Sequence, residues 1–354
     1  GDVQVAGGQA TLYAFTPGRV AAPSGLVPNV PSDLSNKKTK ADFVIVSHPS
    51  LLASVEPLRA LRESQGLATV VADVTDVYDE FGFGEKNPDA IREFLKVARE
   101  KWSRAPRWVL LVGDASFDPK DYLGFGDFDL VPTRMVKTAF MLTDSDDALA
   151  DFDGDGLPEM AVGRLPVRTP AEAATVISKI VSHDAPGAAG AWSSKVLLVS
   201  DAQSEFDFSA ASSELVPLVP AGLSAQPVAV DSLGTSGART AVLDAVNAGQ
   251  LLVNYMGHGS VDVWGQSAFF DGSDAGALTN GAKLPTFVLM TCLNGLFDDL
   301  FVESLAERLV KAPGGGAVAV WASSTLTAPE PQAVLNKAFF QALQGSTTRL
   351  GDAA

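Results

Sequence analysis

The chain has 354 residues, of which 46% are hydrophobic and 19% are charged, and its formal net charge is −16. These values are typical of a globular protein with a large core in one or two domains. The negative charge argues against a nucleic-acid partner, and no apolar run approaches the roughly 18 residues of a membrane helix. The one cysteine, Cys292, excludes internal disulfides.

Residues 1–40 are rich in Gly, Pro and Ser, which predicts the tail of a preceding β module plus a linker, with a strand at Thr11–Phe15. Alternation of strands and helices begins at Asp42 and predicts a parallel sheet with right-handed crossovers. Its predicted strands are Phe43–Ser47, Thr69–Val74, Trp108–Gly113 and Met160–Gly163, and its predicted helices are Leu51–Gln65, Pro88–Trp102 and Pro170–His183.

A second alternating unit follows a Gly-containing linker near residues 187–190. We therefore expect two similar α/β halves, at 41–190 and 191–354, within a longer polypeptide that has flanking domains. The predicted strands of the second half are Val196–Ser200, Pro227–Val230, Leu251–Met256, Phe287–Thr291 and Ala317–Ala322. Its predicted helices are Ser209–Leu218, Arg239–Ala248, Ala275–Leu278, Phe301–Lys311 and Gln332–Leu343. The last residues, Leu350–Ala354, resemble the start of a further helix.

Reactive side chains follow two of these apolar strands. Leu251–Met256 leads into Gly257-His258-Gly259, and the next strand leads into Thr291-Cys292. If the two strands are parallel neighbours, the imidazole and the thiol share one edge of the sheet, where open α/β folds keep their sites. A thiolate is a strong nucleophile that a nearby imidazole can keep ionised. The alternative is that Cys292 is a small buried hydrophobe and Gly-His-Gly a turn.

A long acidic stretch, predicted to be irregular, spans Gly113–Asp155. Near its end, Asp151, Asp153 and Asp155 alternate, and alternating carboxylates can converge on one cation where glycine lets the chain turn. The spacing is not that of an EF-hand, because Val162 stands where a Glu is required. The stretch is either a Ca²⁺ loop, with Asp144, Asp146 and Asp147 contributing, or a solvated acidic loop.

The segments Tyr255–Ser260 and Thr291–Asn294 together resemble the catalytic region of the gingipain-type cysteine peptidases, peptidase family C25 of the caspase-like clan. The segments Asp42–Ser47, Trp108–Asp114 and Asp155–Arg164 occur in the family's order, so the likeness covers roughly residues 41–350. It implies a caspase-like fold of two side-by-side αβα subdomains with mostly parallel sheets. It also implies structural calcium.

The resemblance further implies roles for individual residues. Cys292 matches the nucleophile and His258 the catalytic histidine, with the N–H groups of Cys292 and Gly259 as the oxyanion hole. Glu159 matches the acid that orients the histidine, and its alternative role is a calcium ligand. The turn Ala322–Thr325 is expected beside Cys292 as a wall of the specificity pocket.

The predicted function is a secreted or cell-surface bacterial cysteine endopeptidase that acts on proteins or peptides. Its Cys292 forms a thioester, His258 is the acid and base, and cleavage after a basic residue is consistent with the acidic composition. Candidate pocket carboxylates are Glu172, Asp298 and Asp299. The alternative is an inactive, calcium-stabilised caspase-like scaffold or adhesion or secretion module. A flavodoxin-like nucleotide binder would need a phosphate cradle, which the sequence does not offer.

Overall fold

The computed structural model describes residues 13–20, 22–23, 25–26, 28–345 and 349–353. The chain divides into two compact units, Gly1–Ser32 and Asp33–Ala354. The first contains a short 3₁₀ turn at Pro17–Arg19. The predicted strand Thr11–Phe15 begins outside the described residues, and Tyr13–Phe15 have no regular secondary structure.

The second unit opens with a parallel sheet covered on both faces by helices. The elements of this part of the chain are β1 (Phe43–Ser47), α1 (Leu52–Ser64), β2 (Thr69–Asp73), α2 (Val74–Phe81), α3 (Pro88–Lys101), β3 (Trp108–Val112), β4 (Arg134–Lys137), β5 (Leu142–Ser145), α4 (Asp147–Ala150), β6 (Ala161–Leu165) and α5 (Pro170–His183). Strands β2, β1, β3 and β6 pair in that order, with α1 and α5 on one face and α2 and α3 on the other.

Local sequence explains where these helices begin. The Asn87 side chain accepts from the N–H of Ala90 at 2.8 Å, and Pro88 occupies the first turn of α3. Asp73 caps α2 in the same way by accepting from the N–H of Thr75 at 2.8 Å. α2 was not predicted, because a helix of eight residues is too short to show a clear apolar period.

The acidic stretch after β3 is more ordered than predicted. β4 and β5 form an antiparallel hairpin within it, and the helical turn α4 follows. The Thr143 hydroxyl of β5 donates to the Ser324 carbonyl at 2.6 Å, and the Ser324 hydroxyl donates to the Asp144 carbonyl at 2.8 Å. The hairpin is therefore attached to a loop of the second sheet.

The second sheet is also parallel and has helices on both faces. The elements of this part of the chain are β7 (Lys195–Ser200), α6 (Phe208–Ser213), β8 (Ser224–Ala229), α7 (Val230–Ala248), β9 (Leu252–Met256), β10 (Gly259–Ser260), β11 (Val263–Trp264), β12 (Phe270–Asp271), α8 (Gly272–Gly276), β13 (Thr286–Met290), α9 (Leu305–Lys311), β14 (Ala319–Ala322) and α10 (Pro329–Leu343). The strand order in the second sheet is β14, β13, β9, β7 and β8.

The central strands of this sheet are apolar because both of their faces are covered. All five residues of β9 are buried. Helices α7, α8 and α9 pack on one face, and α6 and α10 pack on the other. The prediction of two αβα arrangements with mostly parallel sheets is confirmed, and both occur within the second compact unit.

The two helix starts that differ most from prediction are those of α7 and α9. α7 starts nine residues before the predicted Arg239 and has a kink at Gly234, where φ is 67°. α9 starts at Leu305 rather than Phe301, because Ser304 and Glu307 form a reciprocal capping box at its N-terminus. The end of the chain forms a 3₁₀ turn at Leu350–Asp352.

A helix of the first sheet contacts a helix of the second where α5 packs on the C-terminal end of α9. The Lys179 ammonium group is buried and donates to the carbonyls of Leu309, Val310 and Ala312 at 3.2, 2.7 and 3.3 Å. These carbonyls end α9, so a cation satisfies groups that have no partner within the helix. In the described residues, every helix is too short or too polar to cross a membrane.

Candidate active site

The two central strands of the second sheet end side by side. β9 and β13 are parallel neighbours, and Met256 pairs with Met290. The N–H of Gly257 donates to the Met290 carbonyl at 3.2 Å, which extends the pairing beyond β9. His258 and Cys292 therefore occupy equivalent positions just past the carboxyl edge of the sheet, where open α/β folds hold their sites.

The His258 imidazole faces the loop that follows β7. Its Nε2 lies 3.0 Å from the Ser204 hydroxyl and 3.4 Å from a Glu205 carboxylate oxygen. The ring meets Phe208 nearly edge-on, with 5.2 Å between ring centroids, and 27% of the imidazole side chain is exposed. Sequence analysis missed Ser204 and Glu205, because they lie in a loop without a motif or period.

The backbone of His258 is held by buried polar groups. Its N–H donates to Asp201 Oδ2 at 3.1 Å, and its carbonyl accepts from the Tyr255 hydroxyl and the Gly265 N–H, both at 2.8 Å. Burial, with the Asp201 charge, raises the pKa of Tyr255 well above its ordinary value. The hydroxyl therefore stays protonated and continues to donate.

The Cys292 thiol faces the loop that follows β14. Its Sγ lies 3.4 Å from the backbone N of Thr327, 3.5 Å from the hydroxyl and 3.6 Å from the carbonyl oxygen of the same residue. Cys292 is half-buried. Across the described residues, no hydrogen bond joins the imidazole to the thiol, and no backbone or side-chain group accepts from the Cys292 N–H.

Gly259 lies so close to the Cys292 loop that a larger residue does not fit. A Cβ at this position would overlap the Thr291 hydroxyl, and it would lie 3.1 Å from the Cys292 carbonyl oxygen and 3.2 Å from Asn294 Oδ1. Leu293, which follows Cys292, has a φ of 59°. Such left-handed backbone costs energy in a residue with a side chain and is often found at functional sites.

The structure does not bring Glu159 to His258. The Glu159 carboxylate accepts from the N–H of Phe152 at 2.5 Å, and its oxygens cluster with those of Asp151 and Asp153 within 4.8 Å. Glu159 comes just before β6 and so lies at the amino edge of the first sheet. His258 lies at the carboxyl edge of the second, so the expected pairing is absent.

Asp151, Asp153 and Glu159 fit the chemistry of a hard cation. Their carboxylates are the ligands that Ca²⁺ prefers, and Asp151 also accepts from the N–H groups of Gly154 and Gly156 at 2.7 and 3.0 Å. Each carboxylate oxygen that accepts one N–H retains a lone pair for a metal. The structure therefore places Glu159 with two other carboxylates and not beside His258, and its role as a metal ligand stays a prediction.

The other acids of the predicted metal set lie apart from this group. Asp146 forms a two-point ion pair with Arg164, with both contacts at 2.7 Å. Asp144 is buried, and its Oδ2 has no hydrogen-bond partner in the described residues. Asp155 accepts from the N–H of Leu157 at 2.8 Å. In the described residues, Asp144, Asp146 and Asp155 thus lie outside the group of three carboxylates, and a role for them as metal ligands stays a prediction.

A cavity of about 290 Å³ is lined in part by Thr327, the residue that the Cys292 thiol contacts. Met290, Ser323, Ser324 and Thr327 are among its lining residues, so the turn Ala322–Thr325 is part of its wall. Asp147 also lines the cavity, although its side chain still reaches solvent. Removal from water, together with the neighbouring Asp146, raises the pKa of Asp147 above its ordinary value.

The three carboxylates proposed from the sequence for this pocket are not among the residues that line it. Glu172 accepts from the N–H of Arg168 at 2.7 Å, and Asp299 accepts from the N–H groups of Phe301 and Val302 at 2.6 and 3.0 Å. Asp298 is buried, and burial followed by the Asp299 charge raises its pKa to about 6. The sequence offered Asp147 only as a contributor to the metal loop, because only the fold brings β5 and α4 to this cavity.

Comparison with known proteins agrees with this geometry. The family model "Peptidase family C25" matches residues 36–354. The chain belongs to peptidase family C25. A segment of 76 residues is 42% identical to gingipain R2 and to gingipain R1 of Porphyromonas gingivalis, and covers 21% of this chain but only 10% and 7% of those proteins. The matched segment thus spans a tenth or less of these C25 relatives.

Solved structures show that the C25 fold is shared. The structure entitled "Crystal structure of the Arg specific cysteine proteinase gingipain R (RGPB)" matches with a TM-score of 0.71 and 20% identity, over 89% of this chain and 69% of that one. The complex of the Porphyromonas gingivalis RgpB pro- and mature domains matches with a TM-score of 0.72 and 20% identity, over 87% and 69%. The fold prediction is confirmed as that of a gingipain-like, caspase-like protein.

Proposed function

We propose that this C25 family member is a cysteine endopeptidase with Cys292 as nucleophile and His258 as acid and base. The observation that carries the proposal is the pairing of Met256 with Met290, which delivers the imidazole and the thiol to one rim of the sheet. Membership of the family and likeness to gingipain R support it.

The reaction follows from the groups at this rim. The Cys292 thiolate attacks the scissile carbonyl carbon, and the unpaired N–H of Cys292, with that of Gly259, stabilises the oxyanion. His258 gives a proton to the departing amine, and water then hydrolyses the thioester. The imidazole can act without bonding the thiol in the resting structure, since contacts of this kind often tighten only when substrate binds.

Preference for a basic residue before the cleaved bond is supported by Asp147. Asp147 is among the residues that line the cavity, and no described group forms an ion pair or hydrogen bond with its carboxylate. An Arg or Lys side chain that enters the cavity would supply the missing cation. Gingipain R, a structural match, is named as Arg-specific.

Calcium at Asp151, Asp153 and Glu159 is a second part of the proposal. The ion would fix the loop that leads into β6 and would offset repulsion among three carboxylates that lie within 4.8 Å of one another. Secretion or display at the cell surface, and flanking domains, remain predictions.

Cys292→Ala tests the proposal directly. We expect it to abolish hydrolysis of fluorogenic peptides, with circular dichroism unchanged. Iodoacetamide should label the wild-type thiol rapidly at neutral pH, and His258→Ala should slow the labelling. A Cys292→Ala protein that retains peptidase activity would refute the mechanism. A slowly labelled thiol in an inactive wild-type protein would support the alternative of a non-catalytic scaffold.

A further inference from the structure

The loop between β7 and α6 places a hydroxyl group and a carboxylate next to the His258 ring. Ser204 Oγ lies 3.0 Å from Nε2, and Glu205 Oε1 lies 3.4 Å from the same nitrogen. The pKa of Glu205 is lowered by a hydrogen bond from its own backbone N–H, then by the Ser204 hydroxyl and the His258 charge. A hydroxyl oxygen and a carboxylate oxygen both face Nε2, and a carboxylate can only accept, so a proton on Nε2 is the arrangement that suits both neighbours.

We propose that Glu205, together with Ser204, is the positioning residue of His258. This pair keeps a proton on Nε2, so that Nδ1 is the nitrogen that exchanges protons during catalysis. The inference rests on the proposed peptidase function, and it names the acid that Glu159 does not provide. The Phe208 ring, at 5.2 Å from the imidazole, limits rotation on the same side.

The proton movements balance in this arrangement. The Cys292 thiol gives its proton to Nδ1 and leaves a thiolate with an imidazolium. After the thiolate attacks, Nδ1 returns that proton to the nitrogen of the breaking amide bond, and the imidazole becomes neutral. The Nε2 proton stays in place throughout, and the Glu205 charge stabilises the imidazolium between the two steps.

The other ionisable groups around His258 do not compete for Nε2. Asp201 accepts from the backbone N–H of His258, and the Tyr255 hydroxyl donates to its carbonyl. Cys292 lies on the neighbouring strand and faces Thr327. Glu205 is therefore the acid that meets the ring itself. Its side chain is 62% exposed, so its removal should not unfold the protein.

Steady-state kinetics of Glu205→Gln test the proposal. We expect kcat to fall by about tenfold with KM unchanged. The pH profile of kcat should also change, because the imidazolium formed during catalysis loses a neighbouring anion. Glu205→Asp should restore most of the activity. Glu214→Gln is the matched control, because Glu214 is 63% exposed, pairs with Lys337 and should leave kcat unchanged.

The tautomer of His258 gives a readout that does not depend on activity. The chain has three histidines, so ¹⁵N NMR of selectively labelled imidazoles can resolve His258. We expect the Nε2–H form in wild type and a mixture of tautomers in Ser204→Ala and Glu205→Ala. An unchanged tautomer together with an unchanged kcat profile would overturn the proposal. If Cys292→Ala remains active, the peptidase assignment fails, whereas the NMR result still decides whether Glu205 positions the ring.

Discussion

Met256 and Met290 pair in register on adjoining parallel strands, and this pairing fixes the candidate site. His258 and Cys292 each stand two residues beyond the pair, so both reach the same edge of the sheet. Their side chains then diverge, the imidazole toward Ser204 and the thiol toward Thr327. In the described part of the chain, the two reactive groups therefore have different neighbours before substrate binds.

Asp147→Asn should weaken cleavage after basic residues. We expect kcat/KM for Arg and Lys substrates to fall about 10- to 100-fold, since one hydrogen-bonded charge partner is lost. Substrates with a neutral residue at that position should change little. Glu330→Gln, which removes an exposed acid at the start of α10, is the control. An equal loss for basic and neutral substrates would exclude a specificity role.

Gly259→Ala should damage both stability and activity. The added Cβ would overlap the Thr291 hydroxyl and would lie only 3.1 Å from the Cys292 carbonyl oxygen. Overpacking of this kind destabilises by about 1–3 kcal/mol. We expect a lower Tm and slower labelling of Cys292. Gly276→Ala is the control, because a Cβ there meets no atom within 4 Å and should leave both values unchanged.

Asp144→Asn should stabilise the protein at alkaline pH. Burial, and then the Asp298 and Asp146 charges, raise the pKa of Asp144 to about 8, whereas the unfolded chain releases this proton near pH 4. Between about pH 4 and pH 8 the unfolded state binds fewer protons, so stability falls as pH rises. Asparagine does not ionise in this range, so the Asp144→Asn protein avoids this loss of stability.

The difference in Tm between Asp144→Asn and wild type should therefore grow with pH. We expect a gain on the order of 5 °C at pH 8 and almost none at pH 4, measured by calorimetry in the same buffer series. A gain that is independent of pH would show that repacking, rather than the carboxyl proton, is responsible.

Calcium should raise the Tm of the wild-type protein, and chelation should lower it. A ligand that binds only the folded state stabilises by about 2.7 kcal/mol at 100 times its Kd. The Ca²⁺ response should be lost in Asp153→Asn and in Glu159→Gln. Asp155→Asn should retain most of it, because Asp155 lies outside the three-carboxylate group. Equal responses in all four proteins would rule out this loop as the binding site.

Periodic elements were predictable because their causes are local. The apolar run of β9 and the Asn87 cap of α3 are encoded within a few residues, and strand–helix alternation implies parallel sheets. The hairpin of β4 and β5 was missed, since its residues lie in an acidic stretch whose order depends on contacts with the Ser324 loop.

The sequence by itself determined that a histidine and the single cysteine follow two buried strands, and it indicated the C25 family that the comparison shows. Only the tertiary structure decided which acidic side chain lies near the histidine and which lies near the cysteine. Glu205 reaches His258 and Asp147 reaches the cavity beside Cys292, whereas Glu159 lies at the edge of another sheet. Strand ends are set by local hydrophobic pattern, but the partner of a side chain depends on loops that meet only after the sheets have packed.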